Sequence, residues 1–550
     1  MKFLRRLLFL AVFVILAAGI AGLLLLSGDE PVINLQGSNS PLLTRYYQRV
    51  RARGINADGI RMTVDGAETD SREPGQLIMS EEMQLKMPSG WLNDYFSCDV
   101  YAGENGTVTV HAGDEVKELS ADEEGMVSVE EAAEALGFAL RWEEKTRTAA
   151  LTSPEKIKVQ YPASYDLRDD GRVSPVRDQA QWATCWAFAA LSAVESSLLP
   201  ETVLQFSAEH LSYHHGFQIE ENTGGDFNMA LAYLVSWKGP VTEEEDPYGD
   251  EYSPDDLKAA VHVQNAVMLA DPDTDRLKAL IYENGAVESA IYARQDLEAM
   301  SGFYDPDTAA YYYTGEEACN HDIDIIGWDD SFSKENFPQE PPGDGAFLCK
   351  NSWGESFGDG GYFYISYYDV NIGKYGAAYT GVESADNYDH IYQCDDLGWT
   401  GSIGYGDPEA MFAAVYTAGP EETLSAAGFY STDPGTWYDL YLVRDFEGAE
   451  DFADMQYLRS GYLADRGFFT AELGEEIPLE DGERFAVVVR IRTKDATHPV
   501  AMEYAGSDLT STAKLDDGET YMSPEGTTWA PVEEAAQGNA CLKVYTRDMQ

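Results

Sequence analysis

Three short segments, far apart in the chain and each built around a reactive or polar side chain, constrain the fold more than any other feature. The first is Gln179-Ala-Gln-Trp-Ala-Thr-Cys185-Trp-Ala-Phe188. Cys185 opens an apolar run (Trp186, Phe188, Ala189, Ala190, Ala193, Val194) whose spacing predicts a buried helix. A thiol at a helix N-terminus feels the positive end of the macrodipole, which favours the thiolate. Gln179, on the polar turn just upstream, brings a side-chain amide to the same place, and an oxyanion formed in acyl transfer needs such a donor. The second segment, Cys319-Asn-His321-Asp-Ile-Asp-Ile-Ile-Gly-Trp, alternates like a strand entering a turn. The third, Ala346-Phe-Leu-Cys-Lys-Asn351-Ser-Trp353-Gly, is another strand, followed by glycine punctuation. An isolated Cys in an apolar helix is usually a packing residue. A Cys, a His and an Asn together form the set that activates a thiol nucleophile, and the fold must bring them to one point.

On these residues, the stretch 160–383 resembles a papain-like cysteine peptidase. The resemblance implies Cys185 as nucleophile, His321 as base, Asn351 as the residue orienting the imidazole, and Gln179 as the oxyanion donor. Trp353 matches the indole that shields the His–Asn pair. Asn222-Thr-Gly224-Gly225 resembles the segment whose backbone pairs with an extended substrate, with Gly224 and Gly225 as the substrate-binding positions. It also implies a two-lobed domain, one lobe helical and the other rich in strands. The family's usual second Cys before the nucleophile is replaced by Trp182, and its partner is missing too. Ala180 stands where a glycine is usual, which threatens to crowd the oxyanion loop. Asp322 is expected to point away from the site, because successive side chains alternate across a strand.

The remainder of the chain reads as a multidomain α+β protein. Lys2, Arg5 and Arg6 precede an uncharged run from Leu7 to Leu26. As a helix at ~1.5 Å per residue, this run spans roughly 30 Å, the thickness of a bilayer core. Residues 1–28 are therefore expected to be a signal anchor, with a cleaved signal peptide as the alternative, and residues 7–26 to meet the membrane. Either way the bulk is exported, and the resemblances point to a bacterial cell surface. Residues 29–75 lack a sustained period and read as a linker.

Residues 76–154 read as a small α+β domain. Ser128-Val-Glu-Glu131 is a capping box, Gly137 a C-cap, and 138–142 with 148–152 a hairpin. This pattern resembles the N-terminal domain of copper amine oxidases, without implying copper. From 384 to 550, short alternating runs separated by Gly, Pro and Asp predict an all-β sandwich, which resembles a lectin-like domain. Trp399, Tyr405, Trp437 and Tyr438 are either a sugar platform or packing, and packing is favoured.

The formal charge of −59 excludes nucleic-acid partners, since phosphate binding needs clustered cations. No cofactor or metal is called for: His214-His215 lacks further ligands at suitable spacing, and Asp271–Asp275 lacks the glycine and glutamate of a calcium loop. Cys349 is expected to be buried and reduced. The expected partners are a polypeptide substrate and, through the C-terminal domain, a glycan or another surface ligand. Two other readings stand: an inactive scaffold acting as an adhesin, and amidase or transpeptidase chemistry on the cell wall. Whether residues 29–160 act as an inhibitory pro-region is open.

Overall fold

The computed structural model describes residues 32–34, 60–69 and 77–549. Within these ranges 81–82, 97, 103–105, 113–114, 123–124, 144–145, 154–160, 220–223, 271–273, 295 and 516–518 are left out. The expected membrane segment at 7–26 lies outside the described residues, and among those described no helix is long and apolar enough to cross a membrane.

The helix Cys185–Leu198 runs through the middle of the catalytic region. Twelve of its fourteen residues are buried, so its sequence is apolar nearly all round rather than striped. On one side it packs on the helices Ala208–His214 and Phe227–Val235. On the other lies a twisted sheet whose strands run in the order Ser164–Asp166, His321–Asp329, Ala346–Lys350, Tyr362–Ser366, Ala310–Tyr311, Tyr304–Asp305. Val287–Ile291 pairs with the outer part of the histidine strand. These are the two expected lobes, one helical and one rich in strands.

The C-terminal region is a sandwich of two six-stranded sheets, and it is not a separate body. One sheet begins with Ala377–Ser384 and Val261–Met268 from the catalytic region. It continues through Gly467–Pro478, Glu422–Ser431, Leu542–Asp548 and His390–Tyr392. The join is the antiparallel pairing of Asn265, Ala266 and Val267 with Phe469, Phe468 and Gly467. Apolar contacts follow the same path, since Tyr430, Phe468 and Cys541 belong to the core of the catalytic region. Trp399, Trp437 and Tyr438 are all buried, so they pack and do not offer a sugar platform.

The small N-terminal region forms as expected in its second half. Ser128 Oγ accepts from the Glu131 N–H, Gly137 ends the helix with φ of 71°, and Ala139–Glu143 pairs with Thr148–Thr152. Its sheet also takes in Arg61–Val64, a strand within the stretch read as linker. That strand pairs in parallel with Thr148–Leu151, and a parallel partner so far along the chain leaves no local signature. The region rests on the outer sheet of the sandwich. Trp142 meets Trp437 edge-on at 6.0 Å, Glu130 pairs with Arg492 at 3.8 Å, and Glu134 pairs with Lys494.

Candidate active site

Cys185 is the first residue of its helix and is 8% exposed. Thr184, the N-cap, makes no side-chain cap bond; its hydroxyl pairs instead with Tyr248 Oη at 2.7 Å. The first main-chain N–H groups are thus left for another acceptor. The N–H groups of Cys185, Trp186 and Asp322 all favour the charged sulfur, whereas burial and the Asp322 carboxyl oppose it and push the thiol up to about 12.

His321 begins its strand and is buried. Its Nε2 lies 2.8 Å from Asn351 Oδ1, which also accepts the Ser352 N–H at 2.8 Å. An amide oxygen only accepts, so Nε2 carries the proton and Nδ1 is the basic nitrogen. Trp353 lies over the ring, with centroids 4.5 Å apart. Burial holds the imidazole down to about 4. Taken singly, the thiol and the imidazole are both neutral at neutral pH.

Gln179 is buried and tied to the asparagine loop at three points. Its N–H donates to Ser352 O, Ser352 Oγ donates to its Oε1, and the flanking Asp178 bridges to Trp353. Nε2 donates to Trp182 O at 2.7 Å, leaving its second hydrogen for a ligand. Ala180 adopts φ of 54° with its N–H held by Asp178 Oδ1, so the loop keeps the left-handed turn that a glycine would take more easily.

The two glycines differ. Gly224 has φ of 108° and open space where a Cβ would stand. Gly225 has no room for one, because a Cβ there would lie 2.4 Å from the Trp186 ring. The absent side chain at 225 therefore serves packing beside Cys185.

Asp322 does not point away. The strand His321–Asp329 is buried on both faces for eight consecutive residues, so alternation offers no solvent side. Its carboxyl lies in the interior near Asp324 and Glu288. Sequence reasoning also missed Lys350 and Glu195. Lys350 is buried one residue before Asn351, and its Nζ donates to Ser192 and Ser174. A charged residue within an otherwise apolar strand was the available signal. Cys349 is buried and lies outside any disulfide.

Residues 161–382 match the papain family cysteine protease, and residues 391–546 match the lectin like domain. The chain carries a papain-family cysteine protease domain followed by a lectin-like domain. The same pairing occurs in the cysteine protease and lectin-like domains of Cwp84, a surface layer associated protein of Clostridium difficile. That structure superposes with a TM-score of 0.62 at 25% identity, covering 70% of this chain and 89% of that one. A second structure, of Cwp84 after propeptide cleavage, gives the same score and identity and is covered over 99% of its length. Among curated proteins, a viral cathepsin of Heliothis zea nuclear polyhedrosis virus is 28% identical over 212 residues, 38% of this chain. Cathepsin J of Mus musculus is 27% identical over 259 residues, 44% of this chain. The chain spans 53% of the length of the first and 71% of the second.

Proposed function

We propose that this protein is an exported, membrane-anchored cysteine endopeptidase that hydrolyses peptide bonds through Cys185, His321 and Asn351. The observation that carries the reading is the 2.8 Å bond between His321 Nε2 and Asn351 Oδ1, which fixes the tautomer with Nδ1 free for the thiol proton. Cys185 Sγ attacks the scissile carbonyl as His321 takes its proton. The Cys185 N–H and the second Nε2 hydrogen of Gln179 receive the oxyanion. His321 then protonates the leaving amine, and a water activated by the same ring releases the acyl group from sulfur. Gly224, with its open side, suits main-chain pairing with an extended substrate.

Export and anchoring rest on Lys2, Arg5, Arg6 and the apolar run 7–26, and the surface-layer association of Cwp84 agrees with them. A glycan or surface ligand remains the proposed partner of the C-terminal domain.

The test is labelling of residues 29–550 with an irreversible peptide epoxide, with Cys185→Ala as control. Labelling at Cys185 that the substitution removes supports the reading. Labelling that appears only after removal of 29–160 adds a pro-region to it. Silence in both forms rejects peptidase activity in favour of the scaffold reading.

A further inference from the structure

One phenol touches both residues that carry or aim the oxyanion donors of the proposed mechanism. Tyr248 Oη donates to the Gln179 carbonyl oxygen at 3.0 Å and lies 2.7 Å from the Thr184 hydroxyl. A phenol has a single hydrogen and a carbonyl oxygen only accepts. That hydrogen therefore goes to Gln179 O, and Thr184 Oγ1 is the donor in the second bond. Burial pushes the phenol up to about 12, so it keeps its hydrogen near neutrality.

Both contacts bear on the direction of a donor. Gln179 supplies the side-chain amide, and its carbonyl shares a planar peptide unit with the Ala180 N–H. That unit is held at both ends. Tyr248 and the Trp182 N–H donate to the oxygen, and Asp178 Oδ1 accepts from the nitrogen at 2.8 Å. Thr184 precedes Cys185, so its ψ aims the peptide plane that carries the Cys185 N–H. A threonine that caps a helix adopts extended backbone and accepts from one of the next N–H groups. Thr184 does neither: its φ and ψ are −109° and 16°, and its hydroxyl is committed to Tyr248.

The phenol is itself fixed from both sides of its loop. The Tyr248 N–H donates to Glu243 Oε1 at 3.0 Å, and the other oxygen of that carboxylate pairs with Arg177. Arg177 in turn donates to Phe206 O at 2.7 Å and lies over the Phe188 ring. Just after Tyr248, the N–H groups of Gly249 and Glu251 both donate to the Glu209 carboxylate at 3.1 Å. The Tyr248 ring meets Phe188, on the first turn of the central helix, edge-on at 4.8 Å. The fold alone thus sets the position of the hydroxyl.

We propose that Tyr248 is a positioning residue for the oxyanion site: its hydroxyl keeps the Gln179 amide and the Cys185 N–H aimed at one point, and it does not act on the sulfur. The inference rests on the peptidase reading above and deepens it.

The experiment separates the two functions of the site, because attack on a carbonyl builds an oxyanion and alkylation does not. Iodoacetamide forms a carbon–sulfur bond at Cys185 and releases iodide, with its carbonyl untouched. Wild type, Tyr248→Phe and Thr184→Val are compared in the form of the chain that the epoxide labels. The readouts are kcat and KM on a peptide substrate, and the rate of Cys185 alkylation followed by mass spectrometry. Tyr248→Phe retains the ring and loses the hydroxyl, so kcat falls roughly 10- to 100-fold with KM unchanged. Alkylation of Cys185 stays at the wild-type rate. Thr184→Val keeps the side-chain shape and loses the second bond, so it lowers kcat with the same split. The double variant falls less than the product of the two single losses. Either variant that folds suffices. An unchanged kcat, or alkylation that falls in step with kcat, overturns the proposal while leaving the peptidase reading intact. A wild-type chain that is alkylated at Cys185 yet hydrolyses no peptide overturns the peptidase reading itself, and this inference with it.

Discussion

Gly225 lies flat against the indole of Trp186, close enough that a Cβ would stand 2.4 Å from Cε2 and 2.7 Å from Cδ2. Trp186 follows Cys185 and is 2% exposed, so the ring has no free direction in which to yield. Gly225→Ala is therefore expected to cost about 1–3 kcal/mol by overpacking and to displace the start of the central helix. Urea unfolding and epoxide labelling should both fall; unchanged stability would mean that the ring relocates freely.

Asn351 holds His321 by one bond and receives the Ser352 N–H at the same oxygen. Asn351→Ala should leave the fold intact but release the imidazole, lowering kcat on a peptide substrate by roughly 10²-fold. Gln179→Ala removes the amide donor and should lower kcat by about 10²–10³-fold. A change confined to KM in either variant would argue that the side chain binds substrate rather than serving the transition state.

The junction between the catalytic and C-terminal regions contains a buried ion pair. Lys543 Nζ lies 3.0 Å from Asp395 Oδ1, and both side chains are fully buried. Lys543→Met leaves the Asp395 carboxylate without a counter-charge and is expected to cost about 3–5 kcal/mol. The double variant Lys543→Met/Asp395→Asn should recover much of that loss in a urea-unfolding cycle. Additive losses would show that the two groups do not interact.

Stability should fall as pH rises above neutrality. Burial holds Asp322, Asp324 and Glu503 at about 7, and Asp369 and Asp439 at about 6. Each binds its proton more tightly when folded, so its contribution is complete below the unfolded value near ~4 and is lost as pH climbs through 6 to 7. The buried His210, His215 and His321, held down to about 4, act the other way and lose stability as pH drops below ~6.5. From about pH 6.5 to 8 the acids act together with His390, which its hydrogen bond to Asp548 raises and which loses stability in the same direction. Tm should be lower at pH 8 than at pH 6.5, and a flat or rising Tm would contradict this account.

The local chemistry was legible in the order of residues alone: a thiol at the head of an apolar helix, a histidine opening one strand, an asparagine closing another, and a capped helix ended by Gly137. Each signal is carried by neighbours within a few residues, where periodicity and capping operate. Features that depend on distant partners emerged with the folded chain. Asp322 turned inward because both faces of its strand are covered. Arg61–Val64 became a strand because Thr148–Leu151 accepts it in parallel. The sandwich joined the catalytic region because Asn265–Val267 offers a strand edge to Gly467–Phe469. Burial on two faces and pairing across long separations are properties of the assembled chain, and no stretch of sequence contains them alone.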